Sequence, residues 1–233
     1  MKILYKFQNH NQMLQRESLH DPNIVLCNYE DENNMHIHYD YPPYDAEIEY
    51  LQNTGTSYID LDYMCKNTTS VEVKFQYVTI KNQSYIFSNK QAWEAIFALY
   101  INGSGKIAYS PKTEQTYINT NITPNTSIHT VKISPCTGSG TFYYDTTLKT
   151  FTSGTRRNEY MRLFAAVGGY GPAYAKIYYI TFFENNIPVV DLIPIRIGQV
   201  GYMYDKISGK LYGNSGTGAF TLGSDVTTHH SNH

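Results

Sequence analysis

The chain has 233 residues and a formal net charge of -2, with charged residues at 16% against the roughly 25% usual in globular proteins. Its longest cationic run is the pair Arg156-Arg157, too little to neutralise a phosphate backbone, so we expect no nucleic-acid partner. No run reaches the ~18 apolar residues of a membrane-spanning helix, so we expect no membrane partner.

The side-chain composition favours β structure. With 23 Tyr, 10 Phe, 16 Gly and 9 Pro, the chain is rich in residues typical of strands and turns. The cysteines Cys27, Cys65 and Cys136 are odd in number and widely spaced, which argues against a disulfide framework or a zinc site. We expect buried free thiols, and a single Cys27–Cys65 bridge stays open as the alternative.

Residues 1–44 differ from the rest of the chain. Lys2–Phe7, Ile24–Cys27 and Met35–Tyr39 are short strand candidates between polar stretches. Together they are too small for an independent core, and the two prolines in Tyr41–Tyr44 interrupt any regular element. We predict an N-terminal arm over residues 1–44 that attaches to a partner surface. Packing of the arm on the main domain is the alternative.

The main domain is predicted over residues 45–224. Its short strand candidates recur at the roughly 8–12-residue spacing expected of a sandwich. The clearest of them, Val71–Tyr77, alternates apolar and polar residues and therefore has one buried face and one solvated face. No long stretch has helical periodicity. The sequence thus predicts an all-β fold, an antiparallel two-sheet jelly-roll sandwich with a small N-terminal arm.

The last part of the domain contains two hairpins. The apolar runs Lys176–Phe183 and Ile187–Ile197 flank a short polar turn, and a second hairpin surrounds Asp205–Gly209. Pro194 interrupts an apolar run, which predicts an edge position or a bulge there. Residues 225–233 are predicted to form a polar, His-containing tail.

Three segments resemble laminin-G/concanavalin-A-like jelly-roll domains of proteins from gut Bacteroidales and their phages. Glu49–Asp60 is similar to the opening of that family, Ala175–Tyr179 to the strand before its closing sheet, and Asp191–Phe220 to its closing pattern. The resemblance covers residues 47–223. Within it we interpret a set of residues as scaffold, with turn, bulge and loop-tethering roles: Asp191, Arg196, Gly201, Tyr204, Asp205 and Gly218.

The resemblance implies two hypotheses about function. The first is a non-enzymatic virion structural protein, a capsid-decoration or head-fibre protein bound to capsid or other virion proteins through residues 1–44. It would be made in the bacterial host cytoplasm and would form a homo-oligomer, with a trimer expected for a fibre. The alternative is a glycan-binding module of a bacterial surface or secreted protein. The first hypothesis is favoured because Met1–Gln12 has no apolar run typical of a secretory signal.

The acidic residues do not form a recognisable catalytic pattern. Concanavalin-like glycosidases use E-x-D-x-x-E to place two carboxylates about 5 Å apart, and the pairs Glu47/Glu49 and Asp60/Asp62 lack the third acid. We expect no enzymatic activity and no cofactor.

Calcium stays open, with no ligands assigned, because no loop has the acid spacing of a calcium site. The acids considered are Asp60, Asp62, Asp145 and Asp191.

A sugar site would need exposed aromatic rings beside polar residues, because ring faces stack on pyranose faces. The candidate residues for binding host-surface or mucosal glycans are Trp93, Tyr100, Tyr109, Tyr170 and Tyr174. The alternative is that these rings cover the sheet edges of a tyrosine-rich domain.

Overall fold

A computed structural model describes residues 2–7, 24–29, 35–38, 42–89, 97–110, 117–137, 139–152, 154–156 and 158–228, with the backbone alone in the first three segments and at residue 228. The chain divides into two compact units. One is Tyr44–Thr228, and the other is Met1–Pro43 with His229–His233. Tyr44 belongs to the first unit, because its ring lies 5.0 Å from that of Tyr204 and its hydroxyl donates to Glu47.

The regular secondary structure of the described residues consists of strands and one 3-10 turn at Val167–Gly169. No helix in this part of the chain has the length and hydropathy needed to cross a membrane. The strands are β1 Lys2–Phe7, β2 Ile24–Tyr29, β3 Met35–His38, β4 Ala46–Ile48, β5 Leu51–Gln52, β6 Ile59–Cys65, β7 Thr69–Thr79, β8 Ser84–Asn89, β9 Ala98–Ile101, β10 Ile107–Ser110, β11 Ile118–Asn119, β12 Ile128–Ile133, β13 Gly140–Tyr144, β14 Thr147–Phe151, β15 Glu159–Leu163, β16 Tyr174–Glu184, β17 Ile187–Ile197, β18 Val200–Asp205, β19 Leu211–Tyr212, β20 Thr221–Leu222 and β21 Asp225–Thr228.

Over the described residues, unit Tyr44–Thr228 contains two antiparallel sheets. The smaller has the order β11-β10-β9-β8-β15-β6, and the larger has β14-β13-β12-β7-β16-β17-β18-β19 with β4, β5, β20 and β21 attached. Residues from both sheets form one buried apolar cluster, in which the rings of Phe87 and Phe182 lie 6.3 Å apart. The predicted all-β class with two packed antiparallel sheets is therefore confirmed.

The alternation in β7 determines how the larger sheet is layered. Val71, Val73, Phe75 and Tyr77 are buried, while the residues between them are half-buried on the opposite face. β7 pairs with β12 on one side and β16 on the other. Because burial alternates from residue to residue in this central strand, one face of the larger sheet packs on the core and the other is its outer surface.

Pro194 lies at a local edge of the larger sheet, on one side of β17, and not at a bulge. Its strand β17 pairs with β18 throughout this region, whereas its pairing with β16 ends at Leu192 and that with β4 begins at Ile195. The carbonyl of Arg196 accepts the N–H of Asp45, so even-numbered residues here face the gap between β16 and β4. Proline is tolerated there because the missing N–H has no strand to bind.

The predicted tail begins later than residue 225. Asp225–Thr228 forms β21, which pairs antiparallel with β4. Arg196 fixes its start, with Nε 2.7 Å and Nη2 2.6 Å from the two oxygens of Asp225. Residues 229–233 of the predicted tail lie outside the described residues.

Candidate functional site

Two of the predicted sugar-stacking rings are buried. Tyr109 is fully buried and stacks on Phe142 at 4.1 Å between centroids, and Tyr100 stacks on Tyr85 at 4.7 Å. Burial raises the pKa of both Tyr100 and Tyr109. The cause is that the central strands of the smaller sheet are buried on both faces. The structure therefore corrects the expectation that these two rings are exposed.

Two of the other three candidates, Tyr170 and Tyr174, contact neighbouring side chains. Tyr170 is 45% exposed, but its hydroxyl donates to Gln83 and its ring meets Tyr85 edge-on at 6.4 Å. Tyr174 is half-buried, and the ammonium of Lys81 lies 3.7 Å from its ring centroid. Trp93 lies outside the described residues.

The predicted scaffold aspartates each bind neighbouring main chain or side chains. Asp191 accepts from Thr181 at 2.9 Å and pairs with Lys206 at 2.8 Å. Asp205 is buried and accepts the N–H groups of Asp191 and Ile207.

The predicted scaffold glycines are needed for space. Gly201 lies against the side chains of Leu51 and Leu222, and Gly218 against Thr56, so a Cβ at either position would collide with these atoms. Neither glycine has a positive φ. The turn-freedom role expected for Gly218 is therefore replaced by close approach.

The four aspartates considered for calcium are each bound by neighbouring side chains. Asp60 binds Arg162 at 2.6 Å, Asp145 binds His129 at 2.7 Å, and Asp62 binds Lys210 and Tyr212. In the described part of the chain, no three His, Cys, Asp or Glu side chains group as a metal site.

The two cysteines in the sandwich unit, Cys65 and Cys136, are both buried, and no disulfide joins them to each other. The Cys27–Cys65 bridge stays an alternative. Burial raises the pKa of the Cys65 thiol. The side chain of Cys27 lies outside the described residues.

Among the described residues, an open groove of about 300 Å³ lies on the outer face of the larger sheet. Strand register forms it: Tyr143 on β13 pairs with Lys132 on β12, and Lys132 pairs with Glu72 on β7. The end of β16 and the turn after it, with Phe183 and Asn186, form the remaining wall of the groove. Its lining comprises Ser70, Val71, Glu72, Lys132, Ile133, Ser134, Pro135, Thr141, Tyr143, Phe183 and Asn186.

The groove combines an aromatic side chain with charged and hydroxyl groups. Tyr143 is 39% exposed, so its ring is accessible. Lys132 Nζ lies 2.9 Å from Glu72 Oε2, and the hydroxyl of Tyr179 donates to Glu72 Oε1 at 2.7 Å. The groove therefore presents an accessible ring beside a fixed carboxylate and an ammonium.

The protonation states in the groove follow from these contacts. Burial acts to raise the pKa of Glu72, but the hydrogen bonds from Lys132 and Tyr179 outweigh it and lower that pKa below its ordinary value. Burial, and then the hydrogen bond to Glu72, raises the pKa of Tyr179 to about 12. At neutral pH the groove therefore has an ionised carboxylate, which accepts hydrogen bonds, and a neutral phenol.

Sequence reasoning missed this groove because its residues come from four strands and the turns after two of them. A partial signal exists: Tyr143 stands at an outward position of the run Gly140–Tyr144, between the buried Phe142 and Tyr144. An exposed aromatic ring on an otherwise polar strand face is the pattern that could have identified it.

Comparisons with known proteins concern the fold of this chain. No protein-family model matches it, and no curated protein matches its sequence. It is similar to a native heptameric SAP-like pentraxin from Limulus polyphemus, at 12% identity and a TM-score of 0.48, over 78% of this chain and 96% of that one. It is also similar to CG-16, a homodimeric agglutinin from chicken liver, at 10% identity and a TM-score of 0.36, over 54% of this chain and 98% of that one.

Proposed function

We propose that the chain is a non-catalytic glycan-binding protein that holds a sugar ring in the groove beside Tyr143. The observation that carries the proposal is the accessible tyrosine ring next to the Glu72–Lys132 pair. A pyranose ring has an apolar face that stacks on an aromatic ring and hydroxyls that both donate and accept. Glu72 supplies the acceptor for those hydroxyls and Lys132 supplies the donor.

The absence of catalysis is part of the proposal and is supported by the charges in the groove. Glycoside hydrolysis by the common mechanisms uses two carboxyl groups, one of them a proton donor with a raised pKa. Among the described lining residues, Glu72 is the only carboxylate, and its pKa is lowered. Such a group accepts hydrogen bonds at neutral pH and is a poor general acid.

The first test is the replacement of Tyr143 by alanine. A glycan array identifies a ligand of the wild-type chain, and calorimetry then measures its affinity. Because the stacking surface is lost, we expect the Tyr143→Ala variant to bind that ligand at least about tenfold more weakly, equivalent to ~1.4 kcal/mol.

The matched control is Tyr160→Ala, which removes a tyrosine of similar exposure (37%) from the smaller sheet. Its affinity should equal that of the wild-type chain. The proposal fails if the wild-type chain binds no glycan on the array, or if the two variants lose affinity equally.

A second candidate function, attachment to a particle, is favoured by the N-terminal unit. β1 pairs in parallel with β2, and β2 pairs antiparallel with β3. The register aligns Ile3 with Val25 and Cys27 with Ile37, and these positions share one face of the sheet. A three-stranded sheet is near the lower limit of independent stability, so a partner surface would complete it.

We propose that this partner is a capsid or other virion protein. The chain would then be a decoration or head-fibre protein of a virion, a homo-oligomer with a trimer as our choice, displaying the sandwich outward. Bacterial surface display is the alternative location. Glycan binding by the sandwich and attachment by the N-terminal unit are compatible within one chain.

The attachment proposal predicts the result of a truncation. A chain lacking residues 1–43 should keep the thermal midpoint of the sandwich unit, because Tyr44 and everything after it in that unit remain. It should be missing from virus particles purified on a density gradient from hosts that express it, whereas the full chain is present. Incorporation of the truncated chain at the level of the full chain would overturn the proposal.

A further inference from the structure

The outer face of the larger sheet continues past the groove as a strip of tyrosine and lysine side chains. We infer that this strip is a second part of the same binding site and that it takes acidic groups, carboxylate or sulfate, on a glycan chain. The inference rests on the proposed function and names the class of glycan. We call these residues the tyrosine–lysine strip: Tyr50, Lys74, Lys176, Tyr178 and Tyr179.

A β-bulge puts two consecutive tyrosines on the outer face. Ile177 of β16 pairs with Phe75 of β7, but Tyr179 pairs with Lys74, so Tyr178 is an extra residue in β16. In a regular strand, neighbouring side chains would point to opposite faces. Here both tyrosines are half-buried, on the side opposite the core.

The strip is continuous with the groove. The hydroxyl of Tyr179 binds Glu72 in the groove at 2.7 Å, and the hydroxyl of Tyr178 donates to Gln76 at 2.9 Å. The ring of Tyr50 meets that of Tyr178 edge-on at 5.7 Å. From Glu72 to Gln76 the surface extends about 13 Å along β7, at ~3.3 Å per residue. The combined site is therefore longer than one sugar ring.

The two lysines of the strip are positioned over its rings. Lys176 Nζ lies 4.0 Å from the ring centroid of Tyr50, and Lys74 Nζ lies 5.6 Å from that of Tyr178. Within the described residues neither lysine forms an ion pair, whereas Lys132 and Lys206 do. Cation–π contacts hold the two ammonium groups in place without neutralising them.

The charge around the strip favours an anionic ligand. Glu49 is the acid that acts on Tyr178: burial, then Tyr50 and Glu49, raise the pKa of that phenol. Glu72 also touches the strip through Tyr179, but it is already paired with Lys132. Among the described contacts of the strip, Glu49 is therefore the acid left against the two ammonium groups of Lys74 and Lys176. A saccharide with carboxylate or sulfate groups matches the rings by stacking and the ammonium groups by charge. A nucleic acid would need the longer basic run that this chain lacks.

The test uses the full chain and pairs of polymers that differ only in charge. These are dextran sulfate against dextran, and polygalacturonate against its methyl ester, measured by calorimetry or interferometry at two salt concentrations. We expect at least one acidic polymer to bind about tenfold more tightly than its neutral counterpart, and the difference to shrink at high salt. The response to the two acidic polymers shows whether the group is a sulfate or a carboxylate.

The Lys74→Ala/Lys176→Ala double variant should lose this preference. The Lys106→Ala control should keep it, because Lys106 lies in the turn before β10 and binds Thr123, and among the described contacts it has none with a ring of the strip. The inference is overturned if neither acidic polymer is preferred, if the preference survives in the double variant, or if a single-stranded DNA oligonucleotide binds as tightly. In each case the proposed function still stands if the wild-type chain binds a glycan on the array and the Tyr143→Ala variant binds that glycan more weakly.

Discussion

Replacing Arg156 with alanine is expected to lower the free energy of unfolding by about 3–5 kcal/mol. Only 2% of Arg156 is exposed, and its Nη1 donates to the carbonyl of Thr69 at 2.6 Å and to that of Lys66 at 3.3 Å. Its guanidinium carbon lies 3.6 Å from the ring centroid of Phe97. Alanine would remove these contacts, leave a cavity beside Phe97 and take the donor away from two carbonyls at the start of β7.

The conservative variant separates charge from geometry. Burial lowers the pKa of Arg156, although the nearby thiols of Cys136 and Cys65 act in the opposite direction. Arg156→Lys keeps a cation but has no planar fork that can reach both carbonyls and stack on Phe97. We therefore expect it to lose roughly half as much stability as alanine does.

Chemical denaturation of the full chain measures both Arg156 variants, with an unchanged m-value as the check that the unfolding reaction is the same. Loss of less than about 1 kcal/mol in Arg156→Ala would show that the buried guanidinium is dispensable. Lysine and alanine variants of equal stability would show that the packed stem, and not the fork, carries the effect.

The fold was predictable because its signals are local. The period of two in β7 and the polar turn between β16 and β17 need no knowledge of distant residues. The runs in β8, β9 and β10 also contain a signal that should have been used. They lack alternation, and continuous apolar runs are typical of strands buried on both faces. Tyr100 and Tyr109 lie in these runs and are buried for that reason.

The candidate site could not be predicted, because it depends on the order of strands and on one bulge. The groove needs β13, β12, β7 and β16 side by side, and β7 and β16 are joined only by distant pairing. The strip needs the extra residue Tyr178, which reverses the face of every residue before it in β16 relative to those after it. Nothing in the sequence from Lys176 to Thr181 marks this position with a glycine or a proline.

Asp205 is the second residue whose replacement is expected to cost much stability, because its side chain links two segments of the larger sheet. Only 2% of the surface of Asp205 is exposed. Its Oδ1 accepts the N–H of Asp191 at 2.8 Å and that of Ile207 at 3.1 Å. Oδ2 accepts the hydroxyl of Ser208 at 2.6 Å. The carboxylate thus joins β17 to the turn after β18, a role that the sequence predicted within the turn but not across to β17.

Asp205→Ala should lower the free energy of unfolding by about 2–3 kcal/mol, because two backbone N–H groups and the hydroxyl of Ser208 lose the acceptor that the buried carboxylate provides. Asp205→Asn keeps an amide oxygen in place of Oδ1, and the hydroxyl of Ser208 can rotate to accept from the new amide. We expect that variant to lose about 1 kcal/mol.

Lys206→Ala is the matched control for Asp205, since it removes only an exposed ion pair with Asp191 and should change stability by less than about 0.5 kcal/mol. Denaturation midpoints at a common m-value give all three numbers. If Asp205→Asn proves as damaging as Asp205→Ala, the negative charge is what stabilises the turn. If neither variant is destabilised beyond the Lys206→Ala control, the link between β17 and the turn after β18 carries no stability. We expect Asp205→Ala to be much less stable than Asp205→Asn, and Asp205→Asn to be nearly as stable as the Lys206→Ala control. This order follows from acceptor geometry, because the two backbone N–H groups need an oxygen at one position and not a full negative charge.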